Sequence, residues 1–126
     1  MNEISTVQVD FLKAYADAWN ARDIDRIMQA MTSDCVFEAA GGKADYGVRS
    51  VGYDAVRARI VEVWDALPDA EWLADGHFVK GNRGCSEWVF RGADRDGVAI
   101  RFTGCDFFTF RGGKIQTKST FLKKNR

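Results

Sequence analysis

Apolar residues recur at two periods along this chain of 126 residues, and the change of period separates a mainly helical first half from a stranded second half. Val7, Phe11, Tyr15 and Trp19 stand four apart and form one stripe of a first helix. Ser5 and Gln8, three apart, open it in the form of a capping box, and Lys13, Asp17 and Asn20 lie off the stripe. Asp23 predicts the cap of a short second helix through Met31, with Ile24, Ile27, Met28 and Met31 inward. Thr32-Ser33-Asp34 breaks that helix, and Cys35–Ala39 reads as a short strand. Gly41–Gly47 is a loop by composition. Helical spacing resumes over Tyr53–Leu67 through Val56, Ile60, Val63 and Trp64, and Pro68, the only proline, ends it.

From Glu71 the pattern is that of strands divided by turns. Glu71–Val79 is followed by the turn Gly81–Gly84, then Cys85–Arg91, then a polar turn over Ala93–Gly97. Val98–Phe110 (VAIRFTGCDFFTF) is dense in β-branched and aromatic residues, Arg111-Gly112-Gly113 interrupts it, and Lys114–Leu122 (KIQTKSTFL) returns. This is the signature of a long hairpin. Side chains alternate along a strand, so Ile100, Phe102, Gly104, Asp106, Phe108 and Phe110 share a face on which Asp106 is the single carboxylate. On the returning strand Gln116, Lys118, Thr120 and Leu122 share a face, and strand pairing can bring Lys118 beside Asp106. Helices followed by consecutive strands predict one α+β domain over residues 1–126, with an antiparallel or mixed sheet.

Composition narrows the function classes. Lys+Arg and Asp+Glu are equal at 18 each, and no basic stripe is interleaved with aromatics, which argues against nucleic acid as a partner. The basic end Lys123-Lys124-Asn125-Arg126 reads as a solvated terminus. Cys35, Cys85 and Cys105 are odd in number and unpatterned, so a reducing, cytoplasmic setting is expected rather than a disulfide scaffold. The start lacks the pattern of a secretory leader, and no run approaches the ~20 apolar residues of a membrane span. His77 is the only histidine and no Cys/His spacing accompanies it, so no metal site is expected. The glycine groups fit neither a dinucleotide fingerprint nor a phosphate loop, and no cofactor is expected.

The chemistry then rests on few groups. Burial among Phe102, Phe108 and Phe110 disfavours the charged form of Asp106; neutral it would donate a hydrogen bond, ionised it would act as a base. An inward Lys118 would form an ion pair with it and hold it ionised, a role expected ahead of covalent catalysis by a desolvated amine. Tyr15 is either a donor to a ligand or a core aromatic with a satisfied hydroxyl. Trp19, Trp64, Trp72 and Trp88 read as core, although Trp88 and Phe90 share a face that can line a pocket. The cysteines have no evident neighbouring cation to activate them.

The order of these pieces resembles the nuclear transport factor 2-like superfamily, and within it the SnoaL-like and ketosteroid-isomerase-like proteins. The segments that carry the resemblance are AYADAWNARDIDRIMQAM, SDCVFE, SEWVF and GCDFFTFRGGKIQTKSTFL. It implies a cone in which a strongly curved, mostly antiparallel sheet wraps the helices and leaves a deep pocket open at one end. In ketosteroid isomerases a first-helix tyrosine and a protonated late-strand aspartic acid form an oxyanion hole, while a second aspartate shuttles the proton. Tyr15 and Asp106 fall at the first two positions and are expected to open into one pocket. The shuttle position falls at or beside Ala39, which cannot do that work, and the adjacent Glu38 points to the opposite face. The last-strand acid of the limonene-epoxide-hydrolase-like and polyketide-cyclase branches falls at Thr120.

The resemblance and the strand pairing together predict catalysis by Tyr15, Asp106 and Lys118, with Phe11, Trp19, Phe37, Trp88, Phe90, Phe102, Phe108 and Thr120 around an apolar small-molecule ligand. It also implies a homodimer through the outer sheet face, where Cys105, Phe107 and Thr109 lie. The leading expectation is a cofactor-independent enzyme performing proton transfer on an apolar carbonyl compound, as an isomerase, cyclase or lyase. The alternatives are a non-catalytic small-molecule-binding module and a protein-interaction domain, since one fold hosts many functions.

Overall fold

The computed structural model describes residues 7–123. The strands β1 (Met31–Ala39), β2 (Val48–Val51), β3 (Glu71–Lys80), β4 (Arg83–Ala93), β5 (Ala99–Arg111) and β6 (Lys114–Lys123) form one curved, unclosed sheet in the order β2-β1-β6-β5-β4-β3. Neighbours run antiparallel except β1 and β6, which are parallel. The helices α1 (Val9–Asn20), α2 (Ile24–Gln29) and α3 (Tyr53–Ala66) pack on its concave side, α1 against β3 and α3 against β1. This is the α+β architecture expected. None of the helices is long and apolar enough to cross a membrane.

Local sequence accounts for the helices. α1 buries Leu12, Tyr15, Ala18 and Trp19, so its apolar face is wider than the four-residue spacing alone suggests. Gln8 caps it without a side-chain bond, and Ser5, the other half of the expected capping box, lies outside the described residues. Asp23 caps α2, its carboxylate accepting from the Arg26 N–H at 3.2 Å. At the far end of α1, Asn20 acts as a short piece of strand: its amide donates to Trp72 O and accepts from Trp72 N, both at 2.8 Å. That pair of bonds fixes β3 against the helix.

Two expectations about the early strands need correction. Thr32-Ser33-Asp34 does not separate helix from strand: α2 ends at Gln29 and β1 begins at Met31 rather than Cys35. The polar triplet lies in the strand where its register against β6 shifts, between Met31 and Val36. Thr32 there donates to Asp34 at 2.8 Å, and Asp34 also takes a two-pronged ion pair from Arg111. Those bonds, led by the guanidinium, hold the Asp34 carboxyl below the usual carboxylate range. The strand β2 was not foreseen at all. Three of its four residues are exposed, so it lacks a buried face that a period could report, and it exists through its pairing with β1.

The hairpin of β5 and β6 decides which side chains meet. Gly112 and Gly113 have φ of 60° and 78°, a two-residue loop that only glycine-like residues adopt without strain, and Arg111 pairs with Lys114 across it. Continued unbroken, that register would set Lys118 opposite Phe107, on the outer face. It does not continue. Phe110 pairs with Ile115 but Thr109 pairs with Thr117, so Gln116 is an extra residue in β6, a bulge. Beyond it Phe108 pairs with Lys118 and Asp106 with Thr120, and both β6 side chains turn inward.

Inserting an alanine after Gln116 should therefore move Lys118 and Thr120 one place along the ladder, opposite Phe107 and Cys105 on the outer face, and leave Asp106 without its β6 partners, whereas deleting Gln116 should only remove the bulge, since Phe108 still pairs with Lys118. We expect the insertion to lower unfolding free energy by about 3 kcal/mol or more in urea titration, the cost of orphaning a buried charge. Gln116→Ala keeps the residue count and should cost well under about 1 kcal/mol. Equal stability of the insertion and Gln116→Ala would show that the register of β6 beyond Gln116 does not set the site.

Candidate active site

Asp106 is 8% exposed and Lys118 5% exposed, yet both reach a pocket of about 220 Å³ between α1, α3 and the concave face of the sheet. The Lys118 ammonium donates to Asp106 Oδ1 at 2.9 Å and to Thr120 Oγ1 at 3.1 Å. Thr120 in turn donates to the same carboxylate oxygen at 2.6 Å, which closes a triangle. The Trp88 indole N–H donates to Oδ2 at 3.0 Å. The Asp106 carboxylate thus receives one ammonium and two neutral donors, the ammonium bond being charge-assisted. The ammonium also stands 4.6 Å from the ring centre of Phe37 and 4.9 Å from that of Trp19. Parallel pairing of Phe37 with Lys118 makes the first contact, and the apolar stripe of α1 supplies the second.

Trp19, Phe37, Trp88, Phe90, Phe102 and Thr120 line this pocket with Asp106 and Lys118. The structure does not bring Tyr15, Phe11 or Phe108 to the pocket. Tyr15 is one helical turn before Trp19 and packs edge-on against Phe108, ring centres 5.7 Å apart, with its hydroxyl 3.8 Å from the Met31 sulfur. Phe108 in turn stacks on Phe110, and Phe11 meets Phe110 edge-on, so these rings fill the core behind the pocket. The expectation that Tyr15 and Asp106 open into one cavity is thus corrected. The stripe at i, i+4 has the right direction, but only its last member reaches the cavity. Burial above all, with the Asp106 charge nearby and Trp19 opposing, holds the Tyr15 hydroxyl well above the ordinary phenol range.

Ala39 lines the pocket, so no carboxylate stands at that position, and Glu38 points away and pairs with Arg49 at 2.7 Å. His77 is held by Ser86 at 2.8 Å and does not line the pocket. No cluster of metal-ligating side chains occurs among the described residues. Burial pushes the Cys85 thiol up to about 12 and raises Cys35 and Cys105 as well, so none is a ready thiolate. Sequence reasoning missed Trp72, Arg59, Val63 and Leu67 as lining residues. A signal existed for α3: Arg59, Val63 and Leu67 recur every four residues along one edge of its apolar face.

A SnoaL-like domain model matches residues 12–117. The chain belongs to that family. No curated protein matches it. Solved structures similar to this SnoaL-like chain include a nuclear transport factor 2-like protein of unknown function from Burkholderia pseudomallei, 19% identical over 90% of this chain and 88% of that one, with a TM-score of 0.81. A candidate polyketide cyclase from Sinorhizobium meliloti is 21% identical over 89% and 94%, with a TM-score of 0.70. A protein with a ketosteroid-isomerase-like fold from Catenulispora acidiphila, solved with trimethylamine, is 12% identical over 89% and 84%, with a TM-score of 0.75. At these identities the likeness establishes the nuclear transport factor 2-like fold of this SnoaL-like domain.

The ion pair can be tested by its own energetics. Lys118→Met leaves a buried carboxylate without its counter-charge and should cost about 3–5 kcal/mol in denaturant unfolding at pH 7. Adding Asp106→Asn should recover part of that loss. A loss below about 1 kcal/mol would mean that the pair contributes little.

Proposed function

We propose that this SnoaL-like domain is a small enzyme that moves a proton on an apolar carbonyl compound, in the manner of an isomerase or cyclase, without a cofactor. The observation that carries the reading is the Asp106–Lys118–Thr120 triangle at the wall of an aromatic pocket. Asp106, ionised beside Lys118, takes a proton from the carbon next to the substrate carbonyl. The electron pair of that C–H bond moves through the carbon framework onto the carbonyl oxygen, giving an enolate. Lys118 has donated two N–H groups to Asp106 and Thr120, and its third is available to that oxygen. Where the substrate is a β,γ-unsaturated ketone the enolate is a conjugated dienolate; Asp106 returns the proton at its γ carbon while the electron pair on oxygen re-forms the carbonyl, so atoms and charge balance and the C=C bond has moved into conjugation.

Tyr15 drops out as the group that polarises the carbonyl, because its hydroxyl is engaged behind the pocket; Lys118 takes that part. The apolar lining suits a ring system with few polar groups.

Deuterium exchange at the acidic carbon of an apolar ketone such as β-tetralone, followed by NMR in heavy water, tests the chemistry. Asp106→Asn should slow exchange by at least about 100-fold, the usual contribution of a positioned base, while calorimetric affinity for the ketone stays within several-fold. Affinity with no catalysed exchange in the native protein would leave a binding module.

The same reading includes a homodimer through the outer sheet face. Phe107 and Phe121 meet edge-on there with ring centres 5.6 Å apart while 39% and 55% exposed, and Phe78 is 56% exposed on the same face. An apolar patch of that kind favours a self-complementary interface. Sedimentation at micromolar concentration should give the dimer mass, and Phe107→Asp should return the monomer.

A further inference from the structure

Three charged side chains line the pocket, and two of them neutralise each other. Asp106 and Lys118 are paired at 2.9 Å; the third, Arg59, is a cation with no carboxylate of the pocket to answer it. Arg59 stands on α3 one residue before the buried Ile60 and four before Val63, so it borders the apolar face and lies along the pocket wall. Its Nη1 makes a long contact of 3.4 Å to Glu62, whose side chain is 67% exposed. Its Nε–H is buried and has no hydrogen-bond partner among the described residues. A guanidinium offers Nε and Nη protons as a rigid fork that matches the two oxygens of a carboxylate. A buried donor on a charged group is costly while unsatisfied. Arg59 thus brings to the pocket lining a buried donor without a partner, of a kind that a planar anion with two oxygens can satisfy.

We propose that the ligand of this pocket is an organic anion: a carboxylate on an apolar ring system, its oxygens held by Arg59 and its rings packed among Trp19, Trp72, Trp88 and Phe90. The charges agree with this assignment. Asp106 and Lys118 cancel, so the lining carries one net positive charge, which a monoanion neutralises. The same net charge disfavours a cationic ligand. The inference rests on the pocket being the ligand site, as in the proposed function, and adds the class of compound. It also orients the substrate, since a carboxylate fixed on α3 holds the body of the molecule against the sheet wall where Asp106 and Lys118 stand.

Two probes of matched shape separate the possibilities: naphthoate, which carries the carboxylate, and acetonaphthone, its neutral methyl ketone counterpart. Each is titrated into the protein at neutral pH and followed by calorimetry and tryptophan fluorescence. Naphthoate should bind at least about tenfold more tightly, as expected when a charged hydrogen-bond pair replaces a neutral contact. Arg59→Met should remove that preference and leave acetonaphthone affinity within about twofold; Arg59→Lys, which keeps the charge but not the fork, should retain part of it. The preference in the native protein should weaken with added salt. A thermal unfolding midpoint for each variant shows whether it is folded, and Arg59→Gln serves if Arg59→Met is not. Equal affinity for the two probes, or a loss in Arg59→Met that strikes both alike, overturns the assignment of Arg59 and leaves the pocket reading intact. Failure of both probes to bind the native protein overturns the pocket reading and this inference together.

Discussion

A carboxylate and an ammonium buried among aromatic rings set the terms for this structure. Each ion loses several kcal/mol of hydration on burial, about the scale of a domain's whole stability, so neither can be left without partners. Asp106 meets that demand with donors from two flanking strands: Trp88 from β4, and Lys118 and Thr120 from β6. Lys118 is further enclosed by Phe37 of β1 and Trp19 of α1. One buried charge pair thereby ties together three neighbouring strands, a fourth across the parallel seam and the first helix. A shift in any of these registers exposes an unsatisfied ion.

Backbone devices make that convergence possible. The Gly112-Gly113 loop fixes where the hairpin starts, and the Gln116 bulge then changes the face on which the rest of β6 lies. Ile115 and Lys118 are both buried although three residues apart, which a regular strand does not permit. Gly104 has a different part. A Cβ built there would lie 2.8 Å from the Trp88 ring and would collide with the Phe121 carbonyl, so the missing side chain is the space that the indole occupies. With that space the Trp88 N–H reaches Asp106. Bulges and strand glycines commonly mark places where a side chain is re-aimed or another group approaches closely, and here both serve one carboxylate.

The pocket follows from how the helices meet this sheet. α1 is pinned to β3 by Asn20, and α3 lies on β1, so the wall between them is made of Trp19, Trp72 and the α3 edge carrying Arg59 and Val63. The core behind it is filled by Tyr15, Phe108 and Phe110 in edge-on and stacked contacts. Close packing there leaves Tyr15 no access to the cavity, although its neighbour one turn along the helix has it. The boundary between core and site thus runs across a single helical stripe.

Local pattern determined much of this protein. The period-four stripes of α1 and α3, the Asp23 cap, Pro68 and the alternating hairpin follow from short-range sterics and from the sorting of apolar side chains, and they were legible residue by residue. So was the isolation of Asp106 on an apolar face. What the tertiary structure alone decided was the facing of Lys118 and Thr120, the retreat of Tyr15 into the core and the existence of β2. Each depends on an event without a local period: one extra residue in a ladder, the depth at which a helix meets a sheet, and the edge pairing of a strand with no buried face. Alternation is written in neighbouring residues, but register is set by the partner strand, and the chemistry of this site lies in the register.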